Sequence, residues 1–105
     1  MAKQIPTEFS RNNFIHTLVE RDGDYAIYSV NLKSTMSVIG CEVCLVRKHK
    51  ADNDFINVKE GDEYLPSTGE WGRYGWTLPD LGTARLKIQQ LKAKRNDRTD
   101  QEDGQ

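Results

Sequence analysis

Residues 70–85 read EWGRYGWTLPDLGTAR, and this stretch decides how the rest of the chain must fold. It contains both tryptophans, Trp71 and Trp76, with glycines at positions 72 and 75 between them. Large rings bury much surface, and neighbouring glycines allow tight turns or a close approach of the backbone. The first half therefore predicts an aromatic bend that leads directly into a helix.

The helix is predicted from an apolar stripe. Leu81, Ala84, Ile88 and Leu91 recur at spacings of three and four, and basic residues fill much of the remaining surface. Either Thr77 or Asp80 could cap its first turn, and the proline at position 79 favours Asp80 because it keeps the preceding residue extended.

The residues upstream of this stretch predict a sheet that the helix would cover. Asp22-Gly23 between two apolar runs indicates a hairpin. Alternating apolar residues predict strands on either side of this hairpin turn, at 14–20 and 25–32, and a longer strand at 38–48. Shorter apolar segments follow at 55–58 and 64–66. The expected fold class is α+β, a small antiparallel meander of four to five strands covered by one C-terminal helix.

Charge and composition divide the 105 residues into three parts. We expect an N-terminal arm at 1–12, a single globular domain at 13–95 and a disordered acidic tail at 96–105. Residues 97–105 carry a net charge of −3, which leaves +2 for the preceding residues. No apolar run is long enough for a membrane helix or a signal peptide, so we expect a cytoplasmic protein without a membrane partner.

The residue types that carry chemistry do not form a recognisable catalytic or metal-binding pattern. Cys41 and Cys44 have the spacing of a metal knuckle, but in a strand they would point to opposite faces, which predicts two buried structural thiols. His16 and His49 stand in no ligand or catalytic motif, and the calcium-like run that begins at Asp52 lacks the required glycine. We therefore expect no cofactor and no resident metal, and an enzyme is the least supported class.

Basic and aromatic residues are the remaining candidates for a function. They could converge to hold phosphates and stack bases, or they could be scattered charges that keep the protein soluble. The residues predicted to form a binding surface are Trp71, Arg73, Tyr74, Arg47, Lys48, Arg85 and Lys92.

Two resemblances bear on this surface. Trp71-Gly72-Arg73, followed by Gly75 and a helix, resembles the WGR domain of poly(ADP-ribose) polymerases, which implies a small antiparallel sheet that contacts DNA and neighbouring domains. That family continues with a further strand before its helix, which is not expected here. The longer pattern of Trp71, Gly72, Gly75, Trp76 and Thr77 resembles small uncharacterised proteins of phages and mobile elements, which would place the protein in a host cytoplasm.

Two functional hypotheses follow from these residues. The first is a non-enzymatic accessory protein of phage or mobile-element type that binds another protein. The alternative is a WGR-like nucleic-acid-binding module that uses the basic helix face and Arg73.

Overall fold

The structure is a computed structural model that describes the backbone of residues 3–103 and the side chains of residues 3–67 and 69–94. The elements in this part of the chain are, in order, β1 (Glu8–Arg11), β2 (Phe14–Asp22), β3 (Tyr25–Leu32), β4 (Val38–Leu45), β5 (Arg47–Lys48), β6 (Glu63–Tyr64), β7 (Gly75–Leu78) and α1 (Leu81–Asp103). Five strands form one antiparallel sheet in the order β1-β2-β3-β4-β7, while β5 and β6 pair in a separate ribbon. Helix α1 packs on one face of the larger sheet. The predicted α+β class is confirmed.

Strand β3 is buried on both faces along most of its length. Tyr25 and Ile27 lie in the core under α1, together with Cys41, Val43, Ala84 and Ile88. Ala26 and Tyr28 point the other way, into a second core with Ile5, Cys44 and Val46. The sheet is therefore a partition between two apolar clusters, and only one of them is covered by the helix.

The two cysteines lie on opposite sides of this partition, which confirms their predicted orientation. Both thiols are free and buried, Cys41 under the helix and Cys44 in the second core. Burial raises the pKa of the Cys44 thiol to about 12. Among the side chains that the structure describes, no three His, Cys, Asp or Glu residues come together as a metal site would require.

The helix begins where the sequence predicted. The backbone N–H of Thr83 donates a hydrogen bond of 2.7 Å to Oδ1 of Asp80, and the Asp80 carbonyl accepts from the N–H of Ala84. Asp80 is therefore the cap, and it satisfies N–H groups that have no partner within the first turn. Ala84 and Ile88 are almost fully buried against the sheet.

Both ends of the described chain form secondary structure. Glu8–Arg11 is an edge strand of the sheet, because Asn12 adopts the left-handed conformation (φ 57°) that a tight turn into β2 requires. Ile5 is buried in the second core. At the other end α1 continues to Asp103, so the described part of the predicted tail is helical; Met1, Ala2, Gly104 and Gln105 lie outside the described residues.

The segment between β4 and the helix also departs from the expected meander. The long strand predicted at 38–48 is interrupted at Val46, and its end pairs with β6 instead of the main sheet. The apolar segment at 55–58 contains a 3-10 turn with Phe55 fully exposed, because the side chain of Asn53 caps that turn. Gly75–Leu78, predicted as a bend, pairs with β4 as the last strand of the sheet. Among the described residues, no helix is both long enough and apolar enough to cross a membrane.

Candidate functional site

Arg47 lies at the centre of a row of stacked side chains beside the sheet. Its guanidinium carbon is 4.8 Å from the ring centroid of Tyr64 and 4.3 Å from that of Tyr74. The ring of His49 packs against Tyr64 with the centroids 4.3 Å apart and the planes tilted by 31°, and the guanidinium carbon of Arg73 lies 5.1 Å from the centroid of the Tyr74 ring. We call these five residues the arginine–aromatic ladder. Such contacts between cations and ring faces are attractive and hold both partners in place.

The ladder forms because three separate segments meet. Arg47 and Tyr64 are directly opposite each other in the β5–β6 ribbon, which brings their side chains together. Tyr74 is held by its own backbone, since its carbonyl accepts a hydrogen bond of 2.8 Å from the N–H of Leu45. The ladder therefore connects the ribbon to the start of β7.

Glu70 neutralises the charge of Arg47. Nη2 of Arg47 donates to Oε1 of Glu70 at 2.6 Å, and the N–H of Ser67 donates to the same oxygen at 2.9 Å. Because the guanidinium and these donors stabilise the carboxylate, the pKa of Glu70 falls to about 2. Arg47 therefore acts as a support for Tyr74 and adds little positive charge at the surface.

Tyr74 and Arg73 form one wall of a groove that has α1 as its other wall. The groove has a volume of about 500 Å³ and is lined by Tyr25, Leu45, Gly72, Arg73, Tyr74, Trp76, Lys87, Leu91 and Lys94. Three of these described lining residues are cations and none is acidic. The ammonium of Lys87 lies 5.3 Å from the centroid of the Trp76 ring, so charge and aromatic surface are adjacent. We refer to this site as the cationic groove.

The structure brings together only some of the predicted binding residues. Arg73 and Tyr74 line the cationic groove, and Arg47 supports it from behind. Trp71 lies on the opposite face of the sheet, where its indole N–H donates to Oγ1 of Thr77 at 3.0 Å. Lys48 is exposed on β5 and does not line the groove.

Two cations of the predicted basic helix face, Arg85 and Lys92, are neutralised by carboxylates. Arg85 donates two hydrogen bonds to Oε1 of Glu20 and a third to Oε2, and Lys92 pairs with Asp22. Both carboxylates are on β2, far from the helix in sequence, so these pairs attach α1 to the sheet. Arg85 and Lys92 are accordingly not part of one free positive surface with Arg73.

The groove residues that the sequence-based prediction missed are Lys87 and Lys94. They are separated from Leu91 by four and three positions, which places all three residues on one stripe of the helix. A search for cations beside the apolar stripe, on the side facing residues 72–76, would have found them. Their relation to Tyr74 depends on the position of β7, which was not predicted.

Comparison with known proteins gives no family for the chain. Neither the protein families, nor the curated proteins, nor the solved structures include a significant match to it.

Proposed function

We propose that the protein is a small non-enzymatic binding module whose cationic groove holds an acidic segment of another protein. The observation that carries this proposal is the composition of the groove wall. Arg73, Lys87 and Lys94 form no ion pair with a carboxylate among the described residues, so their charge is available to a partner. An accessory role of phage or mobile-element type would agree with the resemblance of residues 71–77.

The apolar part of the groove favours a peptide with a hydrophobic anchor. Tyr25, Leu45, Leu91 and Trp76 contribute apolar or aromatic surface between the cations. Binding energy in protein interfaces is concentrated where an anchor side chain fills such a pocket and charged groups surround it. A segment that combines glutamate or aspartate with leucine or an aromatic residue matches both features.

The charge of the whole chain supports a protein partner over an extended nucleic acid. The formal net charge is −1, whereas domains that follow a phosphate backbone are typically strongly basic. Arg47, Arg85 and Lys92 are already paired with carboxylates, which leaves few cations for successive phosphates.

The experiment compares three probes for the groove by fluorescence anisotropy. They are a short fluorescein-labelled peptide of alternating glutamate and leucine, the same design with lysine in place of glutamate, and labelled oligothymidylate. Wild type should bind the acidic peptide, and Arg73→Glu/Lys87→Glu should weaken binding by about tenfold or more. Lys48→Glu/Lys50→Glu makes the same change of charge outside the groove and should leave the affinity within about twofold.

Two results would contradict the proposal. One is equal loss of affinity in both double variants, because the effect would then be one of net charge and not of the groove. The other is no binding of the acidic peptide by a folded wild-type protein.

A single-stranded nucleic acid is the second candidate, because Tyr74 and Trp76 combine stacking surfaces with adjacent cations. In this alternative Arg73 contacts the nucleic acid, as the resemblance to the WGR domain implies. It predicts that oligothymidylate binds more tightly than the peptide and that its affinity falls steeply between about 50 and about 200 mM salt. Oligothymidylate that fails to bind at about 50 mM salt would remove this candidate.

A further inference from the structure

A second concave site lies on the face of the sheet opposite the helix. Two hollows of about 250 and about 230 Å³ adjoin there, and Phe14 and Glu42 line both of them. We call the combined depression the trough. It extends from Arg11 on β1 to Thr77 on β7 and is separated from the cationic groove by the sheet itself.

The trough exists because the second core covers only half of this face. Ile5 and Val46 pack over Ala26 and Tyr28, but this core does not extend over the neighbouring positions of the same strands. Gly40 on β4 lines the second hollow, and a Cβ there would lie 2.7 Å from the Leu78 carbonyl oxygen, so the backbones of β4 and β7 approach closely at this point. The half of this sheet face that the second core leaves uncovered is therefore concave.

The trough contains a buried polar pair, and the His16 ring of this pair is stacked on Phe9 with the ring centroids 4.5 Å apart. Nε2 of His16 lies 2.8 Å from Oε1 of Glu42, and the His16 side chain is only 4% exposed. Its Nδ1 is buried without a partner among the described residues. Burial of such groups is costly unless they are fully hydrogen-bonded, and most side chains at such positions in a sheet are apolar. His16 and Glu42 both line the first hollow, so a ligand in that hollow would meet the carboxylate of this pair.

The Glu42 carboxylate has capacity for a further donor. Oε1 accepts from His16, whereas Oε2 has no hydrogen-bond partner among the described residues. The Glu42 side chain is 16% exposed and lines both hollows. A ligand group with adjacent N–H donors would satisfy it, because an ionised carboxylate only accepts hydrogen bonds.

The rest of the trough defines the shape and charge of that ligand. Phe14 and Trp71 provide ring surface beside Glu42, and the hydrogen bond from Trp71 to Thr77 fixes the indole. Arg11 lines the same hollow and forms no ion pair with a carboxylate of the described residues, so it can meet an anion. The ligand thus combines a flat ring, paired N–H donors and a negative group.

We propose that the trough binds a guanine nucleotide. Guanine donates from N2–H to Oε2 of Glu42 and from N1–H to the second lone pair of Oε1, which also accepts from His16. The ring packs against Trp71 and Phe14, and the phosphate pairs with Arg11. Adenine presents an acceptor at N1 and would face the carboxylate unfavourably. This site is independent of the proposed peptide groove, since no residue lines both.

The test uses the full chain labelled with ¹⁵N and titrated with GMP, AMP, guanosine and ribose 5-phosphate. GMP should shift the indole N–H signal of Trp71 and the amides of residues 11–14 and 42, and leave those of residues 87–94 unchanged. Trp76→Phe identifies the Trp71 indole signal, because the chain has only two tryptophans. GMP should bind more tightly than AMP and than guanosine.

Variants separate the proposed contacts. Glu42→Gln keeps an acceptor for His16 but loses the carboxylate, and GMP affinity should fall by about tenfold or more. Glu8→Gln removes an exposed carboxylate on β1 and should change nothing. Arg11→Met should reduce GMP affinity to that of guanosine and leave guanosine binding as it was.

Three outcomes would overturn the proposal. They are no shift with any nucleotide at about 1 mM, equal affinity for GMP in wild type and in Glu42→Gln, or ribose 5-phosphate binding as well as GMP. If Glu42→Gln does not fold, the comparison of GMP with AMP and ribose 5-phosphate on wild type remains decisive.

Discussion

Gly75 has no side chain at a point where the ring of Trp71 needs the space. A Cβ at this position would lie 2.4 Å from a ring carbon of Trp71, closer than atoms in a folded protein approach each other. The indole can therefore lie directly on the backbone of β7 and donate to Thr77. One glycine thus determines where a large ring stands at the end of the trough.

Gly75→Ala should destabilise the protein by about 1–3 kcal/mol, because the added methyl group displaces the Trp71 ring. Gly69→Ala is the matched control, since a Cβ at Gly69 meets nothing within 4 Å, and it should change stability by less than about 0.5 kcal/mol. Urea unfolding followed by tryptophan fluorescence measures both. Equal stabilities for the two variants would show that the ring does not occupy this space.

Glu70 makes the ladder sensitive to acid. Its pKa is about 2 in the folded protein, below the usual value of about 4.3 in an unfolded chain. A carboxyl group whose pKa is lower in the folded than in the unfolded protein stabilises the fold at pH values above its unfolded-state pKa. This stabilisation is lost as the pH falls towards the folded-state pKa. The stabilising effect of Glu70 should therefore decline across the range from about pH 5 to about pH 2.

Glu70→Gln should be less stable than wild type at pH 7, and the difference should narrow as the pH falls through that range. Glutamine can still accept a hydrogen bond but does not carry the charge that Arg47 stabilises. The measurement is the urea midpoint of each protein at a series of pH values. If the urea midpoints of the two proteins changed in parallel with pH, the proposed role of Glu70 would be contradicted. The control is Glu60→Gln, which removes an exposed carboxylate outside the ladder.

At the level of elements, the helix depends on its first turn for its position on the sheet. Asp80 accepts from Thr83, and this bond lowers the pKa of the Asp80 carboxyl. The same residue lies in the two-residue link between the end of β7 and the start of α1.

Asp80→Ala should lower the melting temperature by about 3–8 °C, because the first N–H groups of α1 lose their acceptor. Asp80→Asn should retain most of the stability, since asparagine is an equally good cap. Thermal unfolding followed by circular dichroism measures both. A similar loss in both variants would mean that the charge matters and that the hydrogen bond does not.

The sequence predicted those elements whose structure is determined by residues that are neighbours in the chain. The alternation in β3 and β4, the hairpin between β2 and β3 and the Asp80 cap each follow from a few consecutive positions, and each is confirmed. The two turn residues of that hairpin are Gly23 and Asp24, because Asp22 pairs with Tyr25. Strand β7 was predicted as a bend because Trp71 to Trp76 has the composition of a turn, and its pairing with β4 is a tertiary contact.

At the scale of the whole molecule, the N-terminal segment connects the two sheets. Ile5 fills the second core, and the N–H of Lys3 donates to Oδ1 of Asp62 at 2.7 Å. The hydroxyl of Tyr28 donates to the carbonyl of Pro6 at 2.6 Å. These contacts join the start of the chain both to β3 and to the residue that precedes β6.

Ile5→Ala should therefore destabilise the whole domain by about 2–5 kcal/mol, because it leaves a cavity in a core that the helix does not cover. Gln4→Ala changes an exposed neighbour and should have little effect. Urea unfolding followed by circular dichroism compares the two. If Ile5→Ala is as stable as wild type, residues 3–7 are not part of the folded core.

The candidate site could be predicted only in part, because its contacts join residues that are distant in the chain. Arg73 and Tyr74 were identified from the aromatic stretch, but the partners of Arg85 and Lys92 on β2 are separated from them by 65 and 70 positions. Arg47 was predicted to be a surface cation, and its place between two tyrosines depends on the β5–β6 ribbon. The pairing of charges across such distances is fixed by topology, which local patterns do not contain.

Trp76 and Thr77 are consecutive residues of β7, yet one lines the cationic groove and the other lines the trough. A single layer of backbone therefore separates the two proposed occupants. Because side chains alternate between the two faces of a strand, a substitution at Trp76 should alter the peptide site alone and one at Thr77 the nucleotide site alone. Four residues of one edge strand thus supply walls to two unrelated surfaces.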